Sequence, residues 1–269
     1  MGSGLAEVIA RSNKQVIVRS RSIASASQMK AAVEKSLEKQ VAKEKISQGD
    51  ADRTLANITL TDNVGDLRDC DLVIESIIEE LEPKVALFKE LDALTNPDAI
   101  LATNTSTLAV VELARATNRP DKVCGIHFFN PATLMPLVEI IRPVTASDET
   151  IETATAFASA CGKEPVQVLD RAGFIVNALL FPYLNNAIRM YEMGTASMED
   201  IDVAMKGGCN FPMGPFALLD LVGLDTTLSI LEALHAEFKD ANYAPTETLK
   251  SLVSQGKLGR KSKQGFFSY

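Results

Sequence analysis

The 269-residue sequence has no tryptophan, only four cysteines and only two histidines. No apolar run approaches the roughly 20 residues that span a bilayer, so a membrane-spanning helix is not expected. Cys70, Cys124, Cys161 and Cys209 lie far apart, with neither zinc-site nor redox-pair spacing. They read as reduced, mostly packed thiols, and no metal site is expected. Positive charge is also short. With 27 Lys and Arg against 35 Asp and Glu the net charge is -8, which argues against nucleic acid as the main partner while leaving room for a local basic pocket. The first residues lack the basic segment, apolar core and cleavage site of a secretory leader, so a cytoplasmic location is expected. What is present is ordinary globular material, 46% hydrophobic and 23% charged, enough for one or two domains.

The first half alternates helix and strand patterns. Leu5, Val8 and Ile9 mark one face of a short opening helix, and Gln15–Val18 reads as a buried strand. Met29, Val33, Leu37 and Val41 then recur at the four-residue step of a long helix. Further strands are read at Asp71–Ile74, Ala99–Ala102, Val123–Ile126, Leu137–Ile141 and Val166–Val168. Pro83 suits the first turn of a helix carrying Leu87, Leu91 and Leu94. Strands separated by helices predict a mainly parallel, doubly wound sheet with helices on both faces. After Gly173 the pattern becomes helical, with one long helix over Phe174–Gly194 and shorter ones broken by glycine and proline. The predicted organisation is an α/β domain over residues 1–170 and an all-α domain over residues 171–269.

Five places could carry chemistry. His127 opens the block His127-Phe128-Phe129-Asn130-Pro131 directly after a strand, where a doubly wound sheet places its ligand crevice. An imidazole there can exchange protons near neutral pH, and a satisfied structural histidine is the even alternative. His235 sits in a helical run and reads as a face residue. Glu139, flanked by Val138 and Ile140, is either on an exposed edge or a carboxylate that orients His127 and favours its charged form. Asn104-Thr105-Ser106-Thr107 follows a strand and reads best as a helix cap, with ligand binding the sharper alternative. Asn177 is an amide among apolar neighbours that needs a partner, structural or substrate. Gly2-Ser3-Gly4 has no strand before it and is not by itself a dinucleotide fingerprint. Arg19-Ser20-Arg21 ends the first strand, where dinucleotide folds carry an acid for the ribose of NAD or an arginine for the 2′-phosphate of NADP. A solvated basic turn is the alternative.

In order along the chain, Met1-Gly2-Ser3-Gly4-Leu5-Ala6, Asn104-Thr105-Ser106, His127–Pro131, Gly173-Phe174-Ile175-Val176-Asn177, Pro212-Met213-Gly214-Pro215, Asp220–Asp225 and Gly259-Arg260-Lys261-Ser262 form a set of blocks. Together they resemble the 3-hydroxyacyl-CoA dehydrogenase family, most closely its short bacterial 3-hydroxybutyryl-CoA members, over almost the whole chain. The resemblance implies hydride transfer between a nicotinamide cofactor and a short 3-hydroxyacyl or 3-ketoacyl thioester of CoA. By it, His127 is the acid/base, Glu139 its orienting carboxylate, and Ser106 and Asn177 hold the substrate oxygen. Gly2, Ser20, Arg21, Glu79, Lys84, Asn104, Ser106, Asn130 and Lys261 match cofactor positions, and Ser36 and Lys43 match CoA positions two helical turns apart. It also implies a homodimer formed through the helical domain.

Two departures shape the expectations. The family begins with a strand and two glycines ahead of Met1-Gly2, so an upstream segment is expected, and without it weak cofactor binding. Ser20 stands at the usual acidic position between two arginines, which predicts NADP over NAD. A dehydrogenase of a free hydroxy acid is the alternative enzyme, and an inactive binding or structural relative the alternative from another class.

Overall fold

The computed structural model describes residues 1–269, which divide into two compact units, Met1–Asp170 and Arg171–Tyr269. The first unit runs α1 (Gly2–Arg11), β1 (Val16–Arg19), α2 (Ile23–Ala42), α3 (Gln48–Ala56), β2 (Ile58–Thr61), β3 (Leu72–Glu75), α4 (Leu81–Leu94), β4 (Ile100–Thr103), α5 (Val110–Arg115), β5 (Val123–Phe128), β6 (Leu137–Arg142), α6 (Asp148–Ala160) and β7 (Glu164–Leu169). Strands β3, β4, β5, β6 and β7 form one sheet in that order, and β1 and β2 form a separate parallel pair. No ladder joins β1 to β3. Helix α1 links the two pieces instead: Leu5 and Val8 pack into the core of β4, β5, β6 and α6, while Ala6 and Ala10 pack with Val18, Val33, Leu37 and Ile58. Every strand pair is parallel except β5 with β6, which is antiparallel.

That antiparallel step is tightly packed. All six residues of β5 are buried. Gly125 faces Ile141 in register, and a Cβ on Gly125 would stand 2.8 Å from the Cβ and Cδ1 of Ile141, so glycine is what lets the two backbones keep this pairing. Burial pushes the Cys124 thiol up to about 12, which keeps it protonated. Cys161 is also buried and Cys70 half-buried, but Cys209 is exposed.

The second unit contains α7 (Val176–Glu192), α8 (Met198–Cys209), α9 (Pro215–Val222), α10 (Leu224–Phe238) and α11 (Glu247–Ser254), with only isolated bridges at Gly259–Gln264 and Gln264–Ser268. Helix α7 is shorter at both ends than the run Phe174–Gly194, because Phe174 and Gly194 take left-handed backbone angles of 50° and 69° that helical residues do not adopt. Its core comprises Phe181, Leu184 and Ile188 of α7 with Phe216, Leu219, Leu231 and Leu234. The closing segment is pinned by buried Asp220, which accepts hydrogen bonds from the amides of Phe266 and Phe267 and from the hydroxyl of Tyr269. No helix is long and apolar enough to cross a membrane.

Two elements depart from the pattern read in the sequence. Strand β2 (Ile-Thr-Leu-Thr) alternates too briefly to stand out, and it forms by pairing with β1. Helix α3 has few apolar residues and is held by a capping box, in which Ser47 and Asp50 satisfy each other's backbone amides.

Candidate active site

The site grows from the antiparallel pairing. His127 and Glu139 are register partners on β5 and β6, so their side chains leave the same face of the sheet. His127 Nδ1 lies 2.8 Å from Glu139 Oε2, with the histidine 4% exposed and the glutamate fully buried. Glu139 is therefore no edge residue; β6 lies between β5 and β7. A carboxylate in this position fixes the Nδ1–H tautomer and leaves Nε2 as the exchangeable nitrogen. Ser106 Oγ lies 3.1 Å from that Nε2, and the ring of Phe129 packs against the imidazole at 4.6 Å between centroids.

Ser106 belongs to the loop between β4 and α5, and this loop does not cap the helix with its own side chains. Asp170 does so from 60 residues away, its two carboxylate oxygens accepting from the amides of Val110 and Val111. The loop's hydroxyls shape the loop itself: Thr105 Oγ1 accepts from Leu108 N, and Thr103 Oγ1 accepts from Thr105 N. Asn104 ties strand ends together, its amide donating to Glu75 O and its Oδ1 accepting from Phe128 N at 2.8 Å.

Beside this loop lies a buried charge network. Lys84 is 1% exposed, with Nζ 2.7 Å from Glu75 Oε1 and 3.3 Å from Glu79 Oε2. Glu75 Oε2 accepts from Thr103 Oγ1, and Glu79 Oε1 accepts from Thr105 Oγ1 and from the amides of Ser106 and Thr107. Burial pushes the Glu79 carboxyl up, but the Thr105 hydroxyl, the Lys84 ammonium and the two amides together outweigh it and hold the group below the ordinary carboxylate value.

Strand C-termini gather most of the cofactor candidates. Ser20 and Arg21 follow β1, Glu79 follows β3, Asn104 and Ser106 follow β4, and Asn130 follows β5. This is the edge where open α/β sheets bind ligands. Gly2 opens α1, where a Cβ would meet the terminal methyl of Met29 at 2.6 Å. A cavity of about 180 Å³ is lined by Ser3, Gly4, Glu7, Val33, Ser36, Asn130 and Thr133, which brings Ser36 and Asn130 together at the start of α1. Glu7, buried on α1, accepts from the side chain of Gln40. Lys43 follows the last residue of α2 and is exposed, as is Arg21. Arg19, the last residue of β1, carries a buried Nε–H with no hydrogen-bond partner. These residues fit a dinucleotide: a helix N-terminus and an unsatisfied guanidinium donor both call for an anion.

In the second unit, Asn177 is buried in the first turn of α7, and Lys261 pairs with Asp225. His235 is exposed near the end of α10. No group of three or more His, Cys, Asp or Glu side chains is gathered as a metal site. Glu75, Thr103 and Asp170 were not singled out from the sequence. Glu75 carries a signal akin to that of Glu139, a charge on an apolar strand, at its end rather than its middle; Asp170 carries none, because its partners are remote.

Comparison with known proteins places this geometry. Residues 1–171 match the family described as "3-hydroxyacyl-CoA dehydrogenase, NAD binding domain", and residues 173–269 match "3-hydroxyacyl-CoA dehydrogenase, C-terminal domain". The chain belongs to the 3-hydroxyacyl-CoA dehydrogenase family. It is 44% identical to a 3-hydroxybutyryl-CoA dehydrogenase of Mycobacterium tuberculosis over 100% of this chain and 95% of the relative. It is also 44% identical to the human mitochondrial hydroxyacyl-coenzyme A dehydrogenase, over 100% of this chain and 88% of that protein. Among solved structures it is similar to FadB2 of M. tuberculosis (TM-score 0.98, 43% identity, covering 100% and 95% of the two chains). The (S)-3-hydroxybutyryl-CoA dehydrogenase of Ralstonia eutropha gives a TM-score of 0.97 at 39% identity, covering 100% and 95%. The fold is thus a Rossmann-type sheet followed by a helical domain, as the sequence pattern predicts.

Proposed function

We propose that this chain interconverts (S)-3-hydroxybutyryl-CoA and acetoacetyl-CoA with a nicotinamide cofactor. The observation that carries the reading is the alignment of Glu139, His127 and Ser106, with Nε2, beside Ser106 Oγ, as the nitrogen that exchanges the proton. When bound, the nicotinamide supplies or accepts the hydride. His127 Nε2 takes the C3-hydroxyl proton in oxidation and, once protonated, returns it to that oxygen in reduction. Glu139 stabilises the imidazolium between these events and keeps the ring from turning. Ser106 donates to the same oxygen as charge develops there, and Asn177 is assigned as a second donor by the family pattern. Gly2, Asn104, Asn130 and Lys261 are assigned to the dinucleotide, and Ser36 and Lys43 to CoA. The cavity shared by Ser36 and Asn130 supports both assignments in the first unit.

The preferred cofactor is NADPH. Ser20 presents no carboxylate to repel a 2′-phosphate, and Arg19 and Arg21 flank it, the former with a buried donor lacking a partner. The helical unit exposes Leu179, Met193 and Val203, each more than 60% exposed, which supports association of two copies through this unit.

The test is reduction of acetoacetyl-CoA with each cofactor, on the wild type and on His127→Ala. We expect turnover with the thioester but not with free acetoacetate, and a loss of about 10²–10⁴-fold in the variant with cofactor affinity retained. Near-normal turnover by folded His127→Ala refutes the acid/base role, and a kcat/KM ratio favouring NADH refutes the reading of Ser20 and its arginines.

A further inference from the structure

The family pattern assigns Glu79 and Lys84 to cofactor contact, and the geometry gives Glu79 a further task. A single oxygen, Glu79 Oε1, takes four donors from three consecutive residues: Thr105 Oγ1 at 2.5 Å, Ser106 N at 2.7 Å, Thr107 N at 3.0 Å and Thr107 Oγ1 at 3.2 Å. That oxygen has no capacity left for a ligand hydroxyl. The other oxygen, on a side chain 37% exposed, faces Lys84 Nζ and stays open to a ligand, whereas Lys84 is buried between Glu79 and Glu75. Glu75 is itself fixed by Thr103 Oγ1 and the amide of Ile77. The loop that carries Ser106 therefore hangs from one carboxylate, and that carboxylate is braced by a buried ion pair at the end of β3.

From this we infer that Glu79 is a positioning residue, braced by Lys84, that sets Ser106 Oγ against His127 Nε2. The role has a physical need. A loop serine keeps no ladder hydrogen bonds, and a displacement of about 1 Å at a reacting group costs on the order of 10²-fold in rate. The inference rests on the role given to Ser106 above, so the experiment has to separate the two.

A double-mutant cycle in kcat does so, using wild type, Glu79→Ala, Ser106→Ala and the double variant, each checked for its melting temperature. Ser106→Ala is expected to lower kcat by on the order of 10²-fold. Glu79→Ala is expected to cost a comparable factor in kcat at saturating cofactor in the wild-type background but less than about threefold when Ser106 is already alanine, with any rise in cofactor KM the same in both backgrounds. Equal losses in both backgrounds, or a loss confined to cofactor KM, overturn the positioning role and leave that of Ser106 intact. A Ser106→Ala enzyme with kcat within about twofold of wild type removes the role of Ser106 and the inference with it. Should Glu79→Ala not fold, Glu79→Gln carries the same cycle. It keeps an acceptor oxygen toward Ser106 N, so a smaller loss is expected, again absent in the Ser106→Ala background; additive losses overturn the inference equally.

Discussion

Replacing Glu139 with glutamine changes charge and almost nothing else, which makes it the sharpest probe of the site. The carboxylate is fully buried and lies 2.8 Å from His127 Nδ1, so its effect on the imidazolium is not screened by water. With charge centres about 4 Å apart and an effective dielectric near 20, the attraction lost is about 4 kcal/mol. Converted into a barrier, that is about 10³ in rate. The amide adds a second fault: if its NH₂ turns toward Nδ1, the ring proton moves to Nε2, where it blocks acceptance of the substrate proton. The assay is kcat/KM for acetoacetyl-CoA reduction and for the reverse oxidation, alongside the melting temperature. The equilibrium constant belongs to the reactants, so both directions must fall by the same factor. A folded Glu139→Gln enzyme that loses less than about tenfold refutes the electrostatic role assigned to the pair.

The framework around the site yields further expectations. Gly125→Ala drives a methyl group to 2.8 Å from Ile141 and should cost about 1–3 kcal/mol, read as a drop in melting temperature that Ile141→Val partly restores. Asp170→Ala uncaps α5 and should cost about 0.5–2 kcal/mol in denaturant unfolding. Asp92 gives a pH signature. Burial raises its carboxyl, but the amide of Asn118 and the Arg119 guanidinium outweigh this and hold it below the ordinary value. A carboxyl depressed in the folded state stabilises above its unfolded pKa and loses that contribution as pH falls through the folded one. Asp92→Asn should therefore melt below wild type near pH 7, with the gap closing as the pH is lowered toward about 3; a gap independent of pH contradicts the assignment.

How much of this was legible depends on how each polar residue relates to its neighbours. His127 and Glu139 break the apolar pattern of buried strands, and a charge in such a place demands a partner, so both stood out from the sequence. Their contact did not follow from that pattern, because alternating strands and helices predict parallel neighbours, whereas β5 and β6 run antiparallel and meet in register. The loop from Asn104 to Thr107 shows the opposite case. Threonine and serine before a helix satisfy every local expectation of a cap, yet the capping carboxylate is Asp170 and the loop's own groups answer to Glu79. Local rules describe what a side chain can do for its own backbone, and they are silent when a remote group offers a stronger, charged acceptor. The same limit explains β2 and α3. Each has little apolar pattern of its own, one existing because β1 lies alongside and the other because two side chains close its first turn. In this protein the His127–Glu139 pair is legible as a violation of local pattern, while the groups that hold the Ser106 loop obey that pattern and become visible only once the chain has folded.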